Sequence, residues 1–223
     1  MYENYEIKRS SNFGSNYWES FSPKLNRIVK FFTDLEYENW VLIETNPEVI
    51  EFCERPKEIK INCNSDDETP FDMWVKWKNN KQTFINIFYS SDLELNNKQY
   101  EKNIEFIKNR KNWCLNNNFD YEVVVDKDIR RSQIYLNNKK KILSNVRVNR
   151  NRNKSDIEKI FDIINTDKKS IKTIHEELSG TPLQRIANGI CWLLYHGFID
   201  GDLDNKALNL QTEVWKNGET QIF

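Results

Sequence analysis

The sequence is poor in the residues that break or cross-link a chain. Its 223 residues include 6 Gly, 5 Pro and 4 Cys. None of the cysteines has C-x-x-C spacing or a clustered histidine, which argues against a zinc motif or a disulfide framework and predicts buried thiols. No apolar run approaches the ~20 residues of a membrane span, and the first segment, MYENYEIKRSSN, lacks an apolar signal core. We therefore expect a cytoplasmic protein without a membrane segment.

The composition permits one or two packed domains. Hydrophobic residues make up 38% of the chain and aromatic residues 13%, enough for a core. The net charge of −1 conceals an asymmetry, since residues 1–154 carry 26 basic and 23 acidic side chains and residues 155–223 carry 7 and 11. We predict one domain over 1–150 and a second over 151–223.

A basic run lies at the predicted domain boundary. The segment NNKKKILSNVRVNRNRNK, residues 137–154, holds seven basic residues and no acidic one. Such a run is either a solvated linker or a strap that contacts DNA phosphates. On the second interpretation the DNA-binding residues are Lys139, Lys140, Lys141, Arg147, Arg150 and Arg152.

Hydrophobic periodicity in the first domain predicts an α/β fold with a mixed sheet. Apolar residues at three- and four-residue steps indicate a helix over 24–44. Strands are expected at about 49–53, 57–63, 71–77 and 82–89, the last two as a hairpin, followed by a helix at about 96–117 and a strand at 121–126. Because a helical crossover precedes it, we expect the last strand to run parallel to its neighbour.

Two carboxylates stand where metal chemistry could use them. Glu36 lies on the apolar face of the first predicted helix, and Asp72 begins a strand of the hairpin. A helix glutamate and a strand aspartate can converge on one divalent cation, which prefers oxygen ligands. The alternative is that Glu36 is an ordinary surface carboxylate and Asp72 a turn residue.

Several stretches together resemble a known family. In chain order they are FTDLEYENWVLIETNPEVIEFCERP, TPFDMWV, TFINIFYSSDLE, FDYEVVVDKDIR and LLYHGFIDGDLDNKALNLQTEVW. They resemble TnsA endonucleases, subunits of heteromeric transposons. The resemblance implies a restriction-endonuclease-like first domain and a winged-helix-like second domain that is mostly α-helical.

The resemblance also implies a catalytic site. The family's helix glutamate falls on Glu36 and its strand aspartate on Asp72, displaced by an inserted Phe71. These two would bind Mg²⁺ or Mn²⁺. The family's Gln/Glu-x-Lys motif falls on Asn86-Ile87-Phe88, so an amide replaces a ligand and a benzyl ring replaces the lysine.

Because of these replacements, we expect a very weak nuclease or none. Asn86 would then be a satisfied polar residue, hydrogen-bonded to Glu36 or Asp72. A displaced lysine could rescue the site, and the candidates are Lys76, Lys98 and Lys102. Lys76 would lie about 13 Å along its strand from Asp72 and is the poorest of them.

The second domain reads as three helices, at about 156–165, 171–178 and 182–196, followed by a β-wing. The third helix would read DNA in a winged module. However, one face of it is apolar and Arg185 is its only Lys or Arg, so we expect a protein-docking role instead.

Three functions remain open at this level. The first is a TnsA-like subunit that acts on double-stranded DNA at transposon ends in a prokaryotic nucleoid, cutting the 5′-side strand. Its partners would be a TnsB-like DDE transposase and a TnsC-like AAA+ regulator. The second is an inactive scaffold subunit of the same assembly, and the third a stand-alone restriction-like defence nuclease.

Overall fold

The computed structural model describes residues 2–5, 16–57, 71–149 and 153–218. By contacts these residues fall into two compact units. The first consists of Met1–Trp40 and Glu48–Arg131, and the second of Val41–Pro47 and Ser132–Phe223. The described part is mixed α/β with seven α-helices. None of these helices is long and apolar enough to cross a membrane.

The first unit begins with a β-hairpin. Strands β1 (Trp18–Ser22) and β2 (Arg27–Phe31) pair antiparallel, and Asn26 between them has a positive φ of 51°. The predicted helix over 24–44 is therefore wrong in nearly its first half, over residues 24–33. Helix α1 covers only Asp34–Glu44.

A four-stranded sheet forms the centre of the first unit. Its strands are β3 (Val49–Glu54), β4 (Met73–Trp77), β5 (Gln82–Phe88) and β6 (Asp120–Val125), in the order β3-β4-β5-β6. The first two pairings are antiparallel and the last is parallel, which confirms the mixed sheet and the parallel final strand. Most of the strand predicted at 57–63 lies outside the described residues.

Helix α2 (Tyr100–Asn116) connects β5 to β6, and the short helix α3 (Asp126–Ile129) follows β6. Between α2 and the sheet lies an aromatic core that includes Phe71, Trp74 and Phe84. The three cysteines in the described part, Cys53, Cys114 and Cys191, are buried and free, as predicted.

The second unit combines four helices with a small antiparallel sheet. In chain order its elements are α4 (Gln133–Val148), α5 (Lys154–Ile163), β7 (Lys169–Ser170), α6 (Ile171–Glu177), α7 (Leu183–His196), β8 (Ile199–Gly201) and β9 (Glu213–Lys216). The sheet order is β7-β9-β8. The three predicted helices are confirmed to within two residues at each end, and α7 ends at Gly197 in the left-handed conformation.

Helix α4 was not predicted, and it moves the boundary between the units. Its apolar side chains Leu136, Leu143 and Val146 are buried, and the helix packs against α7. Most of the basic run is therefore helix rather than linker. The boundary lies between Arg131 and Ser132 instead of after residue 150.

Candidate functional site

Glu36 is fixed in the first turn of α1. Thr33 caps the helix, accepting a hydrogen bond from the Glu36 backbone N–H through Oγ1 at 3.1 Å. The Glu36 carboxylate turns back, and its Oε2 accepts from the backbone N–H of Phe32 at 3.1 Å. With 19% of its side chain exposed, Glu36 is not an ordinary surface carboxylate.

Asp72 is fixed at the entrance to β4. Its backbone N–H donates to the Ile85 carbonyl at 3.0 Å, which continues the β4–β5 ladder by one residue. Its Oδ2 accepts two hydrogen bonds from β5, one from the Ile87 backbone N–H at 2.7 Å and one from Asn86 Nδ2 at 2.9 Å. The side chain therefore binds the neighbouring strand and is not a solvated turn residue.

Asn86 is buried, with 2% of its surface exposed, and both ends of its amide have partners. Its Nδ2 donates to Asp72, and its Oδ1 accepts from the Tyr121 hydroxyl at 3.3 Å. The expected hydrogen bond to one of the two carboxylates is therefore present, to Asp72. Because an ionised carboxylate only accepts, the Asn86 nitrogen and not its oxygen faces Asp72.

Arg55 bonds to both Glu36 and Asp72, since its guanidinium donates to Glu36 Oε2 at 3.4 Å and its backbone N–H donates to the Asp72 carbonyl at 3.0 Å. Burial raises the pKa of Glu36, and the nearby Asp72 charge raises it further. Burial likewise raises the pKa of Asp72 above its usual range, although its two hydrogen bonds oppose the shift. We call Glu36, Asp72 and Asn86 together the carboxylate site.

Two arginines that the sequence analysis missed border the carboxylate site. Arg55, just after β3, is 6% exposed and donates to Glu36 Oε2 at 3.4 Å and to the Lys30 carbonyl at 2.7 Å. Arg110, on α2, is 5% exposed. The pKa of Asp72, which burial raises, is lowered most by its hydrogen bonds from Asn86 and Ile87, and next by the charges of Arg110 and Arg55.

Aromatic rings position the Arg110 guanidinium. Its Cζ lies 3.4 Å from the centroid of the Phe106 ring and 5.4 Å from that of Phe71. Burial lowers the pKa of Arg110 to about 10, so it stays charged at neutral pH. Phe88, at the family's lysine position, packs edge-on against the same Phe106 ring, with centroids 6.0 Å apart. Phe88, which replaces the lysine, therefore packs against the ring on which the Arg110 guanidinium lies.

The lysines considered as replacements lie elsewhere. In the strand register, Lys76 lies opposite Glu51 on β3 and Gln82 on β5, four residues after Asp72. Lys98 and Lys102 are exposed. A sequence signal for Arg110 did exist, because it lies four residues after Phe106 and four before Cys114 on the packed face of α2.

The residues do not fit a divalent cation. In the part of the chain that the structure describes, no group of three or more His, Cys, Asp and Glu side chains could hold a metal ion. Glu36 and Asp72 supply two negative charges, but Arg55 and Arg110 supply two positive ones beside them. Asn86 presents a donor where a metal requires an oxygen.

The basic run forms a different arrangement from the one predicted. Lys139 is buried and its Nζ donates to the Thr45 carbonyl at 3.4 Å, and Lys141 Nζ donates to the Leu208 carbonyl at 2.7 Å. Both side chains therefore donate to carbonyls within the second unit, Lys139 from a buried position and Lys141 from an exposed one. Lys140 and Arg147 are half-buried in α4, and Arg150 and Arg152 lie outside the described residues.

The comparisons with known proteins identify no family. No protein-family model matches the chain, and no curated protein sequence is significantly similar to it.

Proposed function

We propose that the chain is a TnsA-like subunit of a heteromeric transposase, in which a restriction-endonuclease-like domain binds double-stranded DNA at transposon ends without cutting it efficiently. The order of α1, three strands, α2 and a parallel fourth strand supports this fold assignment. The hydrogen bond from Asn86 to Asp72, together with the bonds from Arg55 to both Asp72 and Glu36, carries the proposal. Glu36, Asp72 and Asn86 are separated by up to 50 residues, and they are the positions that the resemblance assigns to catalysis.

The same geometry argues against efficient cleavage. Metal-dependent phosphodiester hydrolysis needs negative ligands for the cation and a positive group where charge develops at phosphorus. Asn86 adds no negative charge, and Phe88 cannot stabilise an anion. Losing one such preorganised group typically costs about 10²–10³ in rate. The subunit would therefore act as a DNA-binding scaffold.

The second unit supports a docking role. From α5 onward, its order of helix, strand, two helices and two strands supports a winged-helix assignment, in which α7 would take the place of the recognition helix. Arg185, the only Lys or Arg on α7, forms a bidentate ion pair with Asp156 at 2.6 and 2.7 Å. Because that charge is already paired and residues 155–223 carry a net −4, we propose that this module binds the transposase rather than DNA.

The basic run is the part of the proposal that DNA binding tests. Lys139 and Lys141 donate to carbonyls of the second unit, so the test uses the other four predicted residues, Lys140, Arg147, Arg150 and Arg152. Replacing these four with Gln should weaken DNA binding and reduce the slope of log K against log salt by up to about one unit per lost phosphate contact.

The proposal predicts a DDE transposase gene beside the gene for this chain, and it is tested with the full chain, that transposase and DNA carrying the transposon end. We expect the two proteins to bind the end together, with little nicking in Mg²⁺ or Mn²⁺. The variant Asn86→Glu/Phe88→Lys, with Arg110→Gln added, is the gain-of-cleavage comparison.

Two results would contradict the proposal. If the native chain cuts at the rate of an active nuclease and Asp72→Ala abolishes cutting, the site is catalytic as it stands. If the chain nicks DNA alone and does not bind the transposase, the stand-alone restriction-like nuclease is the better assignment.

A further inference from the structure

Asn86 and the backbone of β5 already occupy one oxygen of Asp72. Oδ2 accepts from Ile87 N–H and from Asn86 Nδ2, both within 2.9 Å. The amide cannot rotate to offer its oxygen without losing this bond and the one from Tyr121. A cation at Oδ2 of Asp72 would therefore face two N–H donors where it needs oxygen ligands.

Arg55 is held against Glu36 by several elements. Its guanidinium donates to the Lys30 carbonyl on β2 and to Glu36 Oε2, and it lies 4.9 Å from the centroid of the Phe32 ring. Its backbone, at a positive φ of 45°, donates to the Asp72 carbonyl at 3.0 Å. Burial and these contacts hold the positive charge of Arg55 between the start of α1, which carries Glu36, and the start of β4, next to Asp72.

Arg110 supplies the second charge. It is buried on α2 and stacked on Phe106, with Phe71, the residue before Asp72, on another side. The Glu36 and Asp72 carboxylates therefore have two buried guanidinium groups in their surroundings, and both oppose the approach of a cation.

We propose that Arg55 and Arg110 neutralise Glu36 and Asp72 in place of a divalent cation, so that the carboxylate site binds neither Mg²⁺ nor Mn²⁺. This inference rests on the proposed function only for the assignment of Glu36 and Asp72 to the family's metal site. Fixed internal counter-charges make the ion unnecessary for folding. They also repel it, because both guanidinium groups carry its sign of charge.

The test is a Mn²⁺ titration of the full chain followed by electron paramagnetic resonance, without DNA or transposase. We expect no saturable site in the wild type at millimolar Mn²⁺. Arg110→Gln should create a saturable Mn²⁺ site at millimolar concentration or below, since a like charge has been removed from its surroundings. Adding Asp72→Asn to that variant should abolish the new site.

Matched variants separate charge from packing. Arg110→Lys keeps the charge and should not bind Mn²⁺, and Lys111→Gln, an equal change on the exposed face of α2, should behave as the wild type. Arg110→Met keeps the packing on Phe106 and serves if the glutamine variant does not fold.

Either of two outcomes overturns the proposal. One is saturable Mn²⁺ binding by the wild type that Asp72→Asn removes. The other is no gain of Mn²⁺ binding in either Arg110→Gln or Arg110→Met. Because the titration contains no DNA and no partner, a failure here is distinct from a failure of the proposed function, which would appear as lost binding to the transposon end or to the transposase.

Discussion

Asn86 donates its side-chain amide to Asp72 Oδ2 over 2.9 Å, and so joins the centre of β5 to the entrance of β4. Asn86 itself is buried, and the Tyr121 hydroxyl donates to the other end of its amide. Asn86 is therefore part of the structure of the sheet, whatever chemistry takes place beside it.

We expect Asn86→Leu to lower the free energy of unfolding by about 1–3 kcal/mol, because it leaves Asp72 and the Tyr121 hydroxyl each short of a buried partner. Urea unfolding measures the change. Tyr121→Phe, which removes only the second bond, should cost less, about 0.5–1.5 kcal/mol. An Asn86→Leu protein as stable as the wild type would mean that the amide contributes nothing to the fold.

Replacing Arg27 should lower the free energy of unfolding more than its partly exposed position suggests. Arg27 donates twice to Glu54, through Nη1 and Nη2 at 2.6 Å each, and the Glu54 side chain is 0% exposed. Arg27→Met leaves that buried carboxylate without its counter-charge, which typically costs about 3–5 kcal/mol. The matched control is Lys78→Met. The ion pair of Lys78 with Glu48 is more than half exposed at both ends, so its loss should lower the free energy of unfolding by less than about 1 kcal/mol. Equal effects of the two substitutions in urea unfolding would contradict this prediction.

Asn138 fixes a long segment of the second unit to α4. Its Nδ2 donates to the Leu203 and Lys206 carbonyls and its Oδ1 accepts from the Leu208 N–H, each at 2.8 Å. Asn138→Leu should therefore cost about 3 kcal/mol, at about 1 kcal/mol per bond, and should increase proteolysis within 203–208. Asn137→Leu, next to it on the exposed side of the helix, is the control and should change neither measurement.

Stability should depend on pH through Glu36. Burial, with the Asp72 charge second, raises the pKa of Glu36 in the folded state. The folded chain then holds this proton more tightly than the unfolded chain. The resulting stability is complete below the unfolded pKa and is lost as pH rises through the folded pKa.

The measurement is the difference in unfolding free energy between the wild type and Glu36→Gln from about pH 4 to about pH 7. We expect the difference to move against the wild type as pH rises. Glu48→Gln, at an exposed carboxylate, is the control and should show a flatter difference. A difference for Glu36→Gln that moves in favour of the wild type would show that Arg55 outweighs burial.

The central sheet could be predicted because its strands are short apolar runs separated by clear turn residues. The helix predicted from residue 24 failed at β2, where Val29 and Phe31 are buried and Ile28 and Lys30 are exposed. That alternation has period two, but the short segment also fits a helical spacing when it is joined to α1. Only the turn at Asn26 separates the two interpretations.

Glu36, Asp72 and Asn86 could be located from sequence because the resemblance supplies their positions. Arg55 was missed because arginine is usually exposed and no motif marks it. Arg110 was missed for the first reason, although its four-residue spacing from Phe106 and Cys114 places it on the packed face of α2. Helix α4 was missed for a related reason. Its run of lysines suggests solvent, although the stems of Lys139 and Lys141 lie along the unit and their ammonium groups bond carbonyls.

The stack of Phe88, Phe106 and Arg110 affects how this sequence could be changed into a nuclease. A lysine restored at position 88 would point towards a ring that already carries a guanidinium 3.4 Å from its centroid. Removing Arg110 first would leave Asp72 buried with less compensation. Each of these single substitutions is therefore expected to lower the stability of the protein. A return to cleavage requires simultaneous substitutions at positions 86, 88 and 110.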